Sequence, residues 1–190
     1  MVLEKELKVL LTKEQFEGLQ AKINIEKHVS QINFYYSDDE GKILQNGCTI
    51  RVRGKVDSLK LEIKIPVGNQ GLIHVKNEYE ESIEGVPYKI SGRELFHISG
   101  VQLPDVTMKG FLITERFICQ WDEYTKVCLD RNSYLGIEDF ELEIEYTGDS
   151  ISKELFQVIK GMDIELKETI GKCKRFFGKK MQEYHYTTSL

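Results

Sequence analysis

The sequence predicts a β-dominated α+β fold, and three observations carry that prediction. Apolar and charged residues alternate with period two over about eight segments, most of them longer than the ~5–6 residues of an average strand. Helical spacing is confined to a few short stretches between or after them. No linker, repeat or low-complexity tract divides the 190 residues, so a single domain over 1–190 is expected.

The first strand is expected at 2–10, where Leu3, Leu7 and Val9 alternate with Glu4, Glu6 and Lys8. Thr12 followed by Gln15 is a capping box ahead of Phe16 and Leu19, so a helix follows. Strands come next at 31–37 and 48–54, the latter setting Ile50 and Val52 against Arg51 and Arg53. Segment 58–66 sets Leu59, Leu61, Ile63 and Ile65 against Lys60, Glu62 and Lys64. Asp39-Glu40-Gly41, Asn46-Gly47, Gly68-Asn69-Gln70-Gly71 and Gly148-Asp149 mark turns. After a strand at 73–83, Ser91 with Glu94 opens a short helix over 92–98. Strands are expected at 107–120, 123–131 and 138–146, the last placing Leu142 and Ile144 opposite Glu141, Glu143 and Glu145. Leu155, Val158, Ile159 and Met162 give 151–162 a helical stripe, and 168–184 reads as a final basic helix.

Composition excludes several classes. The formal net charge of -5 does not suit a protein that coats nucleic acid. No apolar run approaches the ~18 residues of a membrane span, and MVLEKELKVLL lacks the apolar core of a signal peptide. A cytoplasmic protein without membrane association is therefore expected. Cys48, Cys119, Cys128 and Cys173 form no CxxC or CxxH pair, which argues against zinc, and they are expected to be reduced and mostly buried. The scattered histidines suggest no nucleophile–base pairing. Trp121 is expected to pack at a strand end.

The polar strand faces carry the functional signal, because they are charged almost throughout and sorted by sign. The third strand presents only arginines and the last only glutamates. Like carboxylates on one strand face lie ~7 Å apart and neighbouring strands ~4.8 Å apart. A like-charge pair at 4 Å costs ~4 kcal/mol at an effective dielectric near 20. A β-sandwich with a charged solvent face gives the same alternation, but it has no need of like-sign runs, which destabilise a sheet. A closed barrel with charged faces turned into a lumen accounts for them if a polyanion meets the basic set and divalent cations meet the acidic set.

Glu4-Lys5-Glu6-Leu7-Lys8 resembles the ExExK signature of the CYTH family, the triphosphate tunnel metalloenzymes. Arg51-Val52-Arg53, Glu62-Ile63-Lys64-Ile65-Pro66, Thr114-Glu115-Arg116, Leu129-Asp130 and Glu141-Leu142-Glu143 resemble that family's later motifs in order. Lys172 and Arg175 match its last helix, and Gln31-Ile32-Asn33-Phe34-Tyr35-Tyr36 resembles a segment of a bacterial branch. The resemblance implies an eight-stranded antiparallel closed barrel, a triphosphate tunnel, with helices outside. It implies a hydrolase of inorganic triphosphate, thiamine triphosphate or a nucleoside triphosphate, dependent on Mg2+ or Mn2+.

Carried onto this chain, the resemblance places Glu4, Glu6, Asp130, Glu141 and Glu143 at the metal ions. It places Lys8, Arg51, Arg53, Lys64, Arg116, Lys126, Lys172 and Arg175 on the phosphates, with Glu4, Glu6 and Lys8 as the catalytic signature. Glu143/Glu145 is an alternative metal pair, Lys60 offers a second lysine beside Lys64, and Glu78 and Glu80 are either lumenal or solvent-facing. The chemistry is consistent with this assignment. Arginine forks suit phosphoryl oxygens, carboxylates select hard ions, and phosphoryl transfer needs positioning and charge neutralisation more than a covalent nucleophile. A class IV adenylyl cyclase, which needs an adenine pocket, and a non-catalytic polyphosphate- or nucleotide-binding module are the competing readings.

Overall fold

The computed structural model describes residues 5–70, 73–147, 150–167 and 169–187, with side chains for all of these except 68–70, 73–75 and 183–187. The elements in chain order are β1 (Lys5–Leu11), α1 (Lys13–Lys22), β2 (Lys27–Ser37), α2 (Lys42–Gln45), β3 (Thr49–Lys55), β4 (Ser58–Gln70) and β5 (Ile73–Ser82). They continue with β6 (Lys89–Ile90), α3 (Gly92–Ser99), β7 (Val106–Gln120), β8 (Thr125–Tyr134), β9 (Ile137–Tyr146), α4 (Lys153–Lys160) and α5 (Lys172–Thr187). The eight expected strands are all present, and β6 adds a two-residue bridge to β7. Hydrogen-bonded neighbours run β1-β9-β8-β7-β2-β3-β4-β5, and the β1–β9, β8–β9, β2–β3 and β3–β4 ladders are antiparallel. Closure into the expected barrel needs a β1–β5 ladder. Among the described residues the order ends at those two strands, so what is established is the β-dominated antiparallel sheet with its helices. Among the described residues, no helix is long and apolar enough to cross a membrane.

Local signals account for three helix starts. Thr12 Oγ1 accepts from the Gln15 amide at 3.2 Å while the Gln15 side chain accepts from the Thr12 amide at 3.0 Å, closing the expected box at α1. Ser91 and Glu94 do the same at α3. The four-residue α2 lies between the two turns expected at 39–41 and 46–47. Asp38 starts it by accepting from the Lys42 and Ile43 amides at 3.0 and 2.9 Å. β4 runs on to Gln70, through part of the tetrapeptide read as a turn. The Gly148-Asp149 turn lies outside the described residues.

The chain divides into two compact units: Met1–Ser30, Asn69–His74 and Thr114–Ile170 form the first, and Gln31–Gly68, Val75–Ile113 and Gly171–Leu190 the second. In the first, the apolar alternates of β1, β8 and β9 (Val9, Val127, Leu129, Leu142 and Ile144) form a core against Phe16 and Leu19 of α1 and Leu155 and Ile159 of α4. Phe16 contacts Phe140 at 4.9 Å between ring centroids. Trp121 packs here and donates from Nε1 to Ser152 Oγ, the α4 N-cap, at 2.9 Å. Because the strand period is two, this core leaves the charged alternates of the same strands on the opposite face.

In the second unit, Ile50, Val52, Leu61 and Ile63 pack against Ile90 and Leu95 of the α3 region. The other face of β2 receives α5, where the Tyr35 ring meets Phe176 at 5.2 Å and Phe177 at 6.2 Å. Phe176 fits because residue 110 is glycine. Its φ is +146°, and a Cβ there would lie 2.8 Å from the Phe176 ring. All four cysteines are free thiols, with Cys48, Cys119 and Cys128 buried and Cys173 half-buried.

Candidate active site

In the first unit, register gathers the acidic residues. Lys8 of β1 stands opposite Glu143 of β9, and Glu6 opposite Glu145. On the other side of β9, Asp130, Cys128 and Lys126 of β8 stand opposite Glu141, Glu143 and Glu145. Glu6, Glu143 and Glu145 each offer a carboxylate oxygen within 4.8 Å of the others, and so do Asp130, Glu141 and Glu143. Glu143 belongs to both groups, so the two expected pairings, Glu141/Glu143 and Glu143/Glu145, are parts of one arrangement. Glu4 lies outside the described residues.

Three cations sit among these acids. Lys8 Nζ is 2.8 Å from Glu6 and 2.9 Å from Glu143. Arg116 forks onto Asp130 at 2.7 and 2.6 Å and also binds Glu143. Lys126 binds Glu145. Five carboxylates against three cationic side chains give this set a formal excess of two negative charges. Burial first, and the crowding of carboxylates second, show in the titration of its members. Burial and the Glu143 carboxylate push Glu6 above its ordinary value, against the pull of Lys8. Burial also raises Glu145, Lys126 notwithstanding. Burial opposes the charge on Arg116, but Glu143 and Asp130 outweigh it and hold the guanidinium firmly protonated. Cys128, in the same row, is pushed up to about 12 by burial and stays a thiol. An oxygen-only donor set with residual negative charge and little solvent fits a hard divalent ion.

A polar network extends this face. Thr114 donates to Asn132 at 2.8 Å, and Asn132 and Tyr134 donate to Asp139 at 2.9 and 2.7 Å. Thr114 belongs to the Thr114-Glu115-Arg116 motif, whereas Asn132, Tyr134 and Asp139 lie in none of the motifs. Their shared parity with Asp130 and Glu141 on β8 and β9 is the signal that places these three.

The second unit holds the arginine pair of β3. Arg51 and Arg53 of β3 stand opposite Glu62 and Lys60 of β4, and opposite Tyr35 and Asn33 of β2. Arg51 binds Glu62 Oε2 through Nε and Nη2 at 2.8 and 2.6 Å, and Arg53 Nη1 lies 3.5 Å from Glu62 Oε1. Burial would raise Glu62, but the two guanidinium groups prevail and hold it below the usual carboxylate range. Lys64 is pulled down, first by burial and then by Arg51, while Glu78 at 2.6 Å opposes the shift. Glu78 and Glu80 are exposed partners of Lys64 and Lys60. Lys172 on α5 acts electrostatically on the Tyr35 hydroxyl, and Arg175 lies half-buried one turn further on.

The expected phosphate-binding cations thus divide. Lys8, Arg116 and Lys126 stand among the carboxylates of the first unit, whereas Arg51, Arg53, Lys64, Lys172 and Arg175 belong to the second. Glu62 was quoted only as part of a motif, yet its position opposite Arg51 makes it the resident counter-ion.

Residues 3–177 match the CYTH domain. The chain belongs to the CYTH domain family. Within that family it is 24% identical over 184 residues to a Bacillus subtilis protein named "Putative triphosphatase YjbK", covering 94% of this chain and 96% of the relative. A Bacillus halodurans structure described as "a putative adenylate cyclase" is 26% identical with a TM-score of 0.70, covering 92% of this chain and 97% of that one. Hippeastrum HpAC1, described as a "putative adenylyl cyclase" that "reveals a dominant triphophatase activity", shares the fold at 18% identity. Its TM-score is 0.72, over 93% of this chain and 96% of that one.

Proposed function

We propose that this CYTH protein is a divalent-metal-dependent triphosphatase acting on inorganic triphosphate, thiamine triphosphate or a nucleoside triphosphate. The observation that carries the reading is Glu143, shared by two carboxylate groups and bound at once by Lys8 and Arg116. Glu6, Asp130, Glu141, Glu143 and Glu145 would hold Mg2+ or Mn2+, and Glu4 joins them by family resemblance. Such an ion supplies charge neutralisation on phosphoryl oxygens and acidifies a bound water. The side chains of the chain itself do the rest. Arg51 and Arg53 present their forks to phosphoryl oxygens, releasing part of their hold on Glu62. Lys64, with its ammonium destabilised by burial and by Arg51 against the pull of Glu78, gains a counter-charge when a phosphate binds beside it. Lys172 and Arg175 add charge from α5, and Arg116 keeps Asp130 and Glu143 oriented. The single domain and the closed tunnel belong to the same proposal.

The names of the Bacillus halodurans and Hippeastrum proteins support a second reading, adenylyl cyclase. In that reaction a ribose hydroxyl takes the place of water. A panel of triphosphate, thiamine triphosphate and ATP, each with Mg2+ and with Mn2+, separates the readings. Orthophosphate release supports the hydrolase, cyclic AMP supports the cyclase, and binding without turnover rejects both.

A further inference from the structure

Two consecutive tyrosines on β2 are treated oppositely by the fold of the second unit. Tyr36 packs in the apolar core, and its hydroxyl donates to the Pro87 carbonyl at 2.6 Å. Tyr35 points to the other face and is 0% exposed, yet its hydroxyl has no hydrogen-bond partner. The alternate residues Asn33 and Ser37, 1% and 2% exposed, repeat the pattern with unpartnered Nδ2 and Oγ atoms. Unsatisfied buried polar atoms are rare and costly, and three on one strand face are not a packing accident. The face is also the one that carries Arg51 and Arg53, the register partners of Tyr35 and Asn33.

The two groups beside the arginines are preorganised. Phe176 and Phe177 clamp the Tyr35 ring, and Phe176 is seated under Gly110, so the hydroxyl has a fixed position. Arg53 Nε donates to Asn33 Oδ1 at 3.0 Å, which fixes the amide orientation and leaves its NH2 as the unpartnered donor. Burial pushes the Tyr35 hydroxyl up and Arg51, Lys172 and Arg53 pull against it, and the balance keeps it a neutral donor.

We infer that Tyr35 and Asn33 are the neutral donors of a phosphate-binding subsite shared with Arg51 and Arg53, and that their unpartnered atoms are satisfied by phosphoryl oxygens of the bound ligand. The inference rests on the triphosphate reading and deepens it. Arginines supply charge to any polyanion, whereas two fixed neutral donors recognise oxygen positions and so contribute geometric selectivity.

Calorimetric titration with inorganic triphosphate, in EDTA to prevent turnover, tests this alongside the melting temperature of the ligand-free protein. Tyr35→Phe keeps the clamped ring and removes only the orphaned hydroxyl. It is expected to weaken binding about 10- to 100-fold with the ligand-free melting temperature unchanged or raised. Tyr36→Phe, the control, is expected to lower the melting temperature and leave the affinity alone. Unchanged affinity in Tyr35→Phe, beside a parent that binds, overturns the subsite and spares the triphosphate reading. A destabilised or unfolded Tyr35→Phe assigns the hydroxyl a structural partner and overturns it equally. A parent that binds triphosphate neither in EDTA nor, by thermal shift, with Mg2+ overturns both.

Discussion

Glu143 of β9 takes Lys8 Nζ of β1 on one carboxylate oxygen, at 2.9 Å, and the Arg116 guanidinium on the other. An amide offers only one acceptor oxygen, so in Glu143→Gln one of those two partly buried cations faces an NH2 group. Relief of repulsion with Glu6, Glu141 and Glu145 offsets part of the loss. We expect a metal-free protein less stable by about 1–3 kcal/mol in urea denaturation, and no Mg2+-dependent phosphate release. Full activity in this variant would remove Glu143 from the metal site.

Glu6→Gln is expected to behave differently. Burial and Glu143 already favour the neutral form of Glu6 in the folded state. Neutralising it should leave the metal-free melting temperature unchanged or higher, while the extra stabilisation given by Mg2+ with triphosphate shrinks. A lower metal-free melting temperature contradicts the electrostatic account of this position.

The same shifts set a pH dependence. Glu6 and Glu145 have folded-state values above their unfolded ones, so the folded protein binds their protons more tightly. Their contribution to metal-free stability therefore rises as pH falls from neutral through the raised values towards the ordinary carboxylate value of ~4.3. Metal ions compete with those protons, so the Mg2+-induced rise in melting temperature should decline over the same window. Thermal scans with and without Mg2+ across that range check both slopes, and a metal increment independent of pH sinks the assignment.

On the basic face, Arg51 and Arg53 should separate structure from binding. Arg51 and Glu62 form a buried pair, and removing one partner of such a pair costs about 3–5 kcal/mol. Arg53 holds Glu62 only at 3.5 Å, so Arg53→Ala should remain folded. It should bind triphosphate about 1.5–3 kcal/mol more weakly, with a shallower salt dependence than the parent. Calorimetry at two salt concentrations decides the matter.

Much of this was legible in the sequence, because period-two alternation reports which residues share a strand face. Glu141, Glu143 and Glu145 had to lie together, and so did Arg51 and Arg53. The capping residues Thr12 and Ser91 gave two helix starts. Pairing across strands was not legible, since register depends on contacts distant in the chain. The sequence could not say that Arg116 binds Glu143 or that Glu62 neutralises Arg51. Nor could it tell which of two adjacent tyrosines keeps an unpartnered hydroxyl. The brief α2 escaped because one aspartate side chain, not an apolar period, starts it.

The last helix joins stability and function in residues four positions apart. Phe176 is fully buried against Tyr35 beneath Gly110, while Lys172, one turn earlier, acts on the Tyr35 hydroxyl. Truncation before Gly171 removes both effects together and exposes the Tyr35 face, so it cannot isolate a role in catalysis. Two point variants can. Gly110→Ala puts a Cβ 2.8 Å from the Phe176 ring at a φ of +146°, and overpacking with backbone strain should cost about 1–3 kcal/mol in urea denaturation. Lys172→Met keeps the length and apolar stem of the side chain, so the melting temperature should hold while triphosphate affinity drops by about 1.5–3 kcal/mol. If Lys172→Met binds as tightly as the parent, α5 serves only as a packed helix, and Lys172 leaves the phosphate site.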